Sequence, residues 1–321
     1  MPRLNQPNVL CRTLLLLAAC SGLSLARSIG SAGLTRTAAA PDGYLAMCLI
    51  TRDSVDLRDW VQHYLDLGVS KIYVFDHNSS TPVIKQLWDY EVEQTVVYHY
   101  VEDFSFFEGE SIVQFEAYRQ CIKKYAHRHQ FLTFFDDDEY IVLKPEARTR
   151  SLAEFLRSYE DYGGLAVNWQ IIGSSEHVTR PPGRVTDNYV ECIPEQDYQN
   201  THVKVIANTR YVISTHGNPH TFAYLNGATA VNEVFAVVPS AFGDPVSTTK
   251  IVLYHYTVKS YDDFQRKKDW TIGAGGGTRK DQEFFDNVNK AANDTCTLLQ
   301  SRRRASVSLN VRSKQSRQST E

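Results

Sequence analysis

Short apolar runs alternate with amphipathic segments in the first part of the chain. Residues 44–50 form a continuous apolar run, which is typical of a buried strand, and the apolar spacing over 53–67 predicts a helix. A strand at 71–75, a helix over 82–90 and a strand at 95–100 follow in the same way. This βαβαβ order predicts a single α/β domain with a mixed, mostly parallel sheet flanked by helices.

The pattern continues through the middle of the chain. It predicts a helix over 111–128, a helix over 151–159 that begins with a Ser-x-x-Glu capping box, a strand at 164–172 and a last helix over 280–291. The glycine-rich loop 273–277 lacks the spacing of a phosphate-binding motif. We interpret this loop as a flexible connection, with a mobile lid as the alternative.

Four consecutive acidic residues, 136–139, lie between the apolar runs 131–135 and 140–143. Buried carboxylates need a positive partner, because an unpaired buried charge is costly. In an extended chain, Asp136 and Asp138 would point the same way. Two carboxylates on one side suit Mn²⁺ or Mg²⁺, which keep positions open for a substrate's phosphates. The alternative is an acidic turn whose charges lie in water.

Polar residues also follow the first two predicted strands. Arg52 and Asp53 come after the first strand, and Asp76 comes after the second. Ligands of parallel sheets bind at the carboxyl ends of the strands, so we expect these side chains beside the acidic segment. Asp53 and Asp76 are therefore candidates to accept hydrogen bonds from a base or a ribose. The alternatives are a helix cap for Asp53 and a turn for Asp76.

Composition bounds the class of protein. The 321 residues are 42% hydrophobic and 12% aromatic, which is enough for a sizeable core, and the net charge of −3 does not suggest nucleic-acid binding. The charge is uneven, since residues 300–321 hold six Lys or Arg and one acidic residue. We therefore predict an ordered domain over 44–295 and a disordered basic tail over 296–321.

The N-terminus has the pattern of a targeting segment, with arginines before an apolar stretch that is too short for a comfortable membrane span. We predict a signal peptide or a short signal anchor over 1–26 and a flexible stem over 27–43, with a transit peptide as a third alternative. The expected location is the lumen of the Golgi or endoplasmic reticulum, or outside the cell if the leader is cleaved. Asn78 and Asn293 lie in glycosylation sequons.

Four cysteines follow the leader: Cys48, Cys121, Cys192 and Cys296. Their wide spacing fits no zinc motif. One or two disulfides are allowed in an oxidising lumen. Four buried thiols are the alternative, and the apolar surroundings of Cys48 and Cys121 favour it.

An ordered set of short motifs resembles glycosyltransferase family 92 over about residues 44–270. The matching residues, in the order of the family, are Cys48, 58–64, Gly68, Val69, 72–76, Ser79, 135–140, Trp169, 173–175, 202–206, His216, His220, 254–260, Phe264 and Lys268. The chain departs from the family after the first strand, where Thr51-Arg52-Asp53 replaces the usual Lys-Asn-Glu.

The resemblance implies a GT-A type fold and an inverting transfer, often of galactose from UDP-galactose, to a glycan acceptor with the help of Mn²⁺. It implies that Asp136 and Asp138 hold the metal ion and that His255 is the third ligand. The alternative for His255 is a core histidine.

The remaining candidate residues divide by role. The expected donor-binding residues are Thr51, Arg52, Asp53, Asp76, Ser79, Asp137, Lys204 and Lys259. The two lysines would neutralise phosphate, or else form structural salt bridges. The acceptor-binding candidates are Trp169, His216 and His220, and the candidates for the general base are Glu176 and Asp197.

Two other classes of protein share some of these features. A non-catalytic lumenal carbohydrate-binding protein on the same fold would not need the intact acidic residues. A metal-dependent phosphohydrolase could use the same acids, but it would show no preference for a sugar nucleotide. The ordered motifs favour the glycosyltransferase.

Overall fold

The computed structural model describes residues 42–102, 113–268 and 280–300. The predicted leader, nearly all of the stem, the glycine-rich loop and most of the basic tail lie outside these ranges. Within them, no helix is long and apolar enough to cross a membrane.

Thirteen strands and seven α-helices organise the described residues. The strands are β1 (Leu45–Thr51), β2 (Lys71–His77), β3 (Val96–Val101), β4 (Phe131–Thr133), β5 (Glu139–Leu143), β6 (Gly164–Ile171), β7 (Glu191–Cys192), β8 (Val203–Asn208), β9 (Val212–Thr215), β10 (Phe222–Tyr224), β11 (Ala230–Val231), β12 (Ile251–His255) and β13 (Asp294–Thr295). The α-helices are α1 (Leu57–Asp66), α2 (Trp88–Val92), α3 (Val113–Tyr125), α4 (Leu152–Phe155), α5 (Val185–Asn188), α6 (Tyr261–Lys268) and α7 (Gln282–Ala291).

Nine of these strands form one sheet in the order β3-β2-β1-β4-β8-β6-β12-β5, with β11 also paired to β6. Strands β1 to β4 run parallel, and β12 and β11 run parallel to β6. Strand β8 is antiparallel to β4 and β6, and β5 is antiparallel to β12. The predicted fold class, a mixed and mostly parallel sheet flanked by helices, is confirmed.

Helices pack on both faces of this sheet. Trp60 and Tyr64 of α1 are fully buried on one face, where both side chains donate a 2.9 Å hydrogen bond to the carbonyl of Glu139. Tyr118 and Cys121 of α3 belong to the apolar layer on the other face. The backbone that leads into β5 is thus fixed by α1.

Both pairs of cysteines are joined. Cys48 of β1 is bonded to Cys121 of α3, and Cys192 of β7 is bonded to Cys296. The buried-thiol alternative is therefore wrong: apolar surroundings are compatible with a disulfide where two Cα atoms lie within about 7 Å, and these lie 6.3 and 6.0 Å apart. Cys296, at the start of the predicted tail, is thus bonded to the sheeted part of the chain.

Helix α1 differs from its predicted bounds, and the capping box of α4 forms only in part. Helix α1 begins at Leu57 rather than at 53, since Asp53 has a left-handed φ of 50°. Only one of the two hydrogen bonds of the capping box of α4 is present. Ser151 accepts a hydrogen bond from the Glu154 amide, whereas the Glu154 carboxylate accepts one from Thr149.

A buried carboxylate fixes the start of β12. Glu233 is 1% exposed, and its two oxygens accept hydrogen bonds from the backbone amides of Thr249, Lys250 and Ile251. Strand β12 ends at His255, so Glu233 positions the strand that brings this histidine to the acidic segment.

Candidate functional site

The acidic segment is a turn between β4 and β5. The Glu139 amide donates to the Asp136 carbonyl at 3.0 Å, and the Asp136 amide donates to the Glu139 carboxylate at 2.9 Å. The chain is therefore not extended here, as the sequence analysis assumed. Because of this turn, the successive carboxylates contact different elements.

Asp138 faces β12 and α6. Its carboxylate lies 3.6 Å from Nε2 of His255, and it accepts a 3.1 Å hydrogen bond from Lys267. Burial alone would raise the pKa of Asp138, but the nearby cations, Lys267 first, hold it well below the ordinary value. Burial lowers the pKa of His255 well below its ordinary value, against the opposing effect of Asp138. The site thus pairs an ionised carboxylate with a neutral imidazole.

Asp136 faces β8 instead. Lys204 is 1% exposed, and its ammonium lies 2.9 Å from Asp136 and 3.3 Å from Glu139. Gln114 of α3 donates a further hydrogen bond of 3.0 Å to Asp136. Burial raises the pKa of Glu139 to about 8, with Lys204 opposing this shift and Asp136 adding to it. Lys204 therefore serves two carboxylates inside the protein.

Aromatic and imidazole rings gather around Trp169 of β6. The indole stacks on His202, with ring centroids 4.9 Å apart and planes 17° apart, and lies 5.3 Å from His220 and 4.3 Å from His255. The indole N–H donates a 2.9 Å hydrogen bond to Glu139. Trp169 thereby links two candidates for different roles, His220 and His255. The third acceptor candidate, His216, is exposed, and no ring contact within the described residues joins it to this group.

The candidates after β1 and β2 come together. Thr51 donates a 2.9 Å hydrogen bond to Asp137, and the Asp53 amide donates one of 2.8 Å to Ser79. Arg52 is partly exposed and lies 3.9 Å from Asp53. Thr51 thus contacts the acidic segment directly, whereas the contacts of Asp53 join β1 to the loop after β2.

Asp76 is fully buried and makes structural contacts. Its two oxygens accept hydrogen bonds from the amides of Ser79 and Val83 and from the hydroxyl of Tyr98. In this arrangement Asp76 shapes the loop after β2, in keeping with the turn alternative.

Lys259 joins a buried ionic network. Its ammonium lies 2.6 Å from Asp56, which also pairs with Arg180. Arg180 lies 3.0 Å from Asp263 of α6, and the same Asp263 accepts a 3.0 Å hydrogen bond from Ser260. The structural salt bridge foreseen as the alternative for Lys259 is thus present, and it holds the helix that carries Lys267.

The two candidates for the general base lie on loops. Glu176 is exposed and has a left-handed φ of 60°. Asp197 accepts a hydrogen bond of 2.9 Å from the Gln199 amide, as the cap of a short 3₁₀ helix. No hydrogen bond or ion pair among the described residues joins either carboxylate to Asp138 or Trp169, and both roles stay predictions.

For three residues of this site the sequence predicted no role: Lys267, Glu139 and His202. Lys267 is adjacent to Lys268, which matches the family. Successive residues of a helix point in different directions, so the helical period could have distinguished the two lysines. Glu139 belongs to the acidic run and His202 to a motif that matches the family. Both residues were therefore noticed in the sequence, but no function was predicted for either.

The three proposed metal ligands do not form one cluster. Across 42–102, 113–268 and 280–300, no group of three or more His, Cys, Asp or Glu side chains could hold a metal ion. Asp138 and His255 do fit a divalent ion as an oxygen and nitrogen pair. Moreover, Nδ1 of His255 is buried and has no hydrogen-bond partner within the described structure. Asp136 is engaged by Lys204.

The fold is α/β, and the carboxyl edge of its sheet brings Asp138, His255 and Lys267 together. The model of glycosyltransferase family 92 matches residues 44–298, which is most of the chain. The chain belongs to glycosyltransferase family 92.

Solved structures of S. aureus TarS are similar in part. The structure of TarS 1–349 has a TM-score of 0.33 and 14% identity, with 52% of this chain and 47% of that chain covered. The complex of TarS 1–349 with UDP-GlcNAc has a TM-score of 0.34 and 13% identity, with 55% and 50% covered. The chain thus spans about half the length of these structures, and a similarity this low supports no argument about function. A search among curated proteins found no match.

Proposed function

We propose that the chain transfers a hexose, galactose in the first instance, from a UDP-sugar to a glycan acceptor with inversion and with the help of Mn²⁺ or Mg²⁺. Membership of family 92 supports the transfer. The observation that carries the donor site is the contact of Asp138 with His255 and Lys267 at the carboxyl edge of the sheet. This edge is where α/β sheets bind their ligands.

Asp138 and His255 would hold the metal ion. Two protein ligands are enough for Mg²⁺ or Mn²⁺ when phosphate oxygens and water complete the shell. When bound, the ion would neutralise the diphosphate and favour its departure. Lys267 now donates to Asp138, and it would turn its ammonium to the phosphates when the carboxylate takes a new partner.

The remaining candidates would hold the nucleoside. Arg52 and Asp53 follow β1; the Asp53 amide donates to Ser79 and its carboxylate accepts from the Ser80 amide, both in the loop after β2. Thr51 and Asp137 join this loop to the acidic segment. A nucleoside placed along these residues would leave its diphosphate at Asp138, because the carboxyl ends of β1 and β4 are neighbours.

The proposed location is the secretory pathway. Two disulfides support an oxidising compartment. Asn293 of the second sequon is exposed. Expression of the full chain in animal cells, followed by digestion with an N-glycosidase, tests this location. A loss of mass that Asn293→Gln removes would support the proposal, and an unmodified Asn293 in a cytosolic protein would contradict it.

Calorimetry tests the donor site. The full chain is titrated with UDP-galactose, UDP and GDP, each in Mn²⁺ and in EDTA. We expect uridine nucleotides to bind in Mn²⁺ and to lose most of their affinity in EDTA. Asp138→Asn should remove the difference between the two conditions. Asp89→Asn, which changes an exposed partner of Arg58, is the matched control and should bind like the unmodified chain.

Two outcomes would contradict the proposal in different ways. Unchanged Mn²⁺ dependence in folded Asp138→Asn would show that the metal assignment is wrong. A folded protein that binds none of the nucleotides would remove the donor site, and a carbohydrate-binding role would then be the better account. Circular dichroism of each variant establishes that it is folded.

A further inference from the structure

His202 lies immediately before β8, where its backbone is extended and pairs with Phe242, on the same edge of the sheet as the acidic segment. It precedes Lys204 by two residues, and alternate residues of a strand point to the same face. Since Lys204 contacts Asp136 and Glu139, the side chain of His202 lies on the face that carries these acids, one step nearer the open edge.

The ring of His202 is held between aromatic groups. It stacks on Trp169 at 4.9 Å and lies 4.6 Å from the ring of Phe242, which is 51% exposed. Trp169 also contacts His255, the proposed metal ligand. A sugar bound against Trp169 would therefore have the leaving phosphate on the His255 side and His202 within its reach. Of these two rings, Phe242 is the exposed one, and an exposed aromatic ring suits the apolar face of a sugar.

One hydrogen bond fixes the tautomer of His202. Its Nδ1 lies 3.3 Å from the carbonyl of Gln199, and a carbonyl can only accept, so Nδ1 carries the proton. Nε2 then has the lone pair, and it has no hydrogen-bond partner in the described parts of the chain. Burial lowers the pKa of His202, with the Gln199 carbonyl opposing, so the ring is neutral at neutral pH.

Neighbouring groups are less suited to take a proton. His220 also bonds a carbonyl through Nδ1, but burial and Lys204 lower its pKa to about 3, which makes it a weak base. The carboxylate of Glu139 is fully buried and engaged by Lys204 and Trp169. A substrate cannot reach it without displacing these contacts.

We propose that His202 is the general base of the transfer; this inference rests on the proposed function. The acceptor O–H bond breaks, the proton passes to Nε2, and the oxygen forms its bond to the anomeric carbon. The bond from that carbon to the diphosphate oxygen breaks, and its electron pair leaves with the nucleoside diphosphate. The imidazolium then returns its proton to the solvent. His202 is thus a catalytic residue and the Gln199 carbonyl its positioning group.

The test compares the full chain with His202→Gln in UDP-galactose and Mn²⁺. UDP release is measured with water as acceptor, with a panel of methyl glycosides, and with sodium azide. Removal of a general base should slow reactions of hydroxyl acceptors by about 10²–10⁴-fold. Azide has no proton to lose, so it should restore UDP release and form glycosyl azide at about the same rate in both proteins. His127→Gln, an exposed histidine on a short 3₁₀ helix outside the site, should behave like the unmodified chain.

The outcomes separate this inference from the proposed function. Calorimetric binding of UDP-galactose by His202→Gln, together with lost transfer and azide rescue, is the expected result. Full activity of His202→Gln would overturn the inference. An equal loss with azide and with hydroxyl acceptors, while the donor still binds, would also overturn it, because it indicates a structural role. A failure of the unmodified chain to bind the donor, or to release UDP even with azide, would instead remove the proposed function and this inference with it.

Discussion

The ammonium of Lys204 and the carboxylate of Asp136 form a 2.9 Å ion pair between β8 and the acidic segment. The same ammonium lies 3.3 Å from Glu139, so that two carboxylates share one buried lysine. Burial alone would lower the pKa of Lys204, but Asp136 and Glu139 raise it well above its ordinary value. This pairing explains how the protein tolerates buried acids in its core, and it predicts what the lysine contributes to stability.

Lys204→Met should destabilise the protein strongly. The methionine keeps the apolar stem but removes the ammonium beside Asp136 and the fully buried Glu139, and a buried group that loses its hydrogen-bond partner costs about 1–3 kcal/mol. Urea denaturation at pH 7 measures the change in the free energy of unfolding.

Lys144→Met is the matched control. Lys144 lies 3.1 Å from Glu195, whose side chain is 45% exposed. Solvent screens such a pair, so its loss should cost less than about 1 kcal/mol. Equal effects of the two substitutions would contradict the structural role assigned to Lys204.

Trp169→Phe should separate the hydrogen bond of the indole from its ring. Phenylalanine preserves a ring beside His202 but removes the N–H that donates to Glu139. A buried acceptor that loses its donor costs about 1–3 kcal/mol, which thermal or urea denaturation will measure.

Trp88→Phe provides the comparison, because Trp88 is 65% exposed and its replacement should change stability by less than about 0.5 kcal/mol. If Trp169→Phe were as mild as this control, the bond to Glu139 would be of no consequence for stability. The contribution of the indole to stability would then come from its ring contacts with His202, His220 and His255.

The fold was largely predictable because its signals are local. A continuous apolar run predicted β1, and the Ser-x-x-Glu pattern predicted the start of α4 at Ser151. The common carboxyl edge of parallel strands led us to expect polar residues after β1 beside the acidic segment, and Thr51 contacts Asp137 there.

The fine geometry of the site was not predictable in the same way. The turn at Asp136 depends on a hydrogen bond with the Glu139 carboxylate, and no pattern in the sequence distinguishes it from an extended chain. The sequence predicted the same role, neutralising phosphate, for Lys259 and Lys204. Their carboxylate partners lie on distant parts of the chain, so the sequence does not show which carboxylate each lysine contacts. The hydrogen bond between the Glu233 carboxylate and the Ile251 amide, at the start of β12, joins segments that only the folded chain brings together.

Stability should fall in acid partly because of His220. Its pKa is lowered to about 3 by burial and by Lys204, whereas the unfolded chain has the ordinary value of about 6.5. Between these values the unfolded state binds a proton that the folded state does not. The contribution is therefore complete above pH 6.5 and is lost as the pH falls, by at most about 1.4 kcal/mol per pH unit.

Urea denaturation of the unmodified chain and of His220→Gln at pH 7 and pH 5 measures this contribution. The variant should show a shallower loss of stability between the two values, since one histidine no longer titrates. His127→Gln, at an exposed position, should retain the full loss. An identical slope in the unmodified chain and His220→Gln would show that His220 takes up its proton equally in both states.

The disulfide between Cys192 and Cys296 should hold the end of the domain in place. It joins residues 104 apart in the chain, and the antiparallel pairing of β13 with β7 beside it is only two residues long. Replacing both cysteines by serine should lower the free energy of unfolding by about 2–5 kcal/mol, because the unfolded chain loses a long-range constraint. Denaturation with and without dithiothreitol checks this, since the reductant should destabilise the unmodified chain more than the variant, in which only Cys48–Cys121 remains to be reduced. Peptide mass spectrometry of the oxidised protein that finds Cys192 and Cys296 as free thiols would refute the linkage itself.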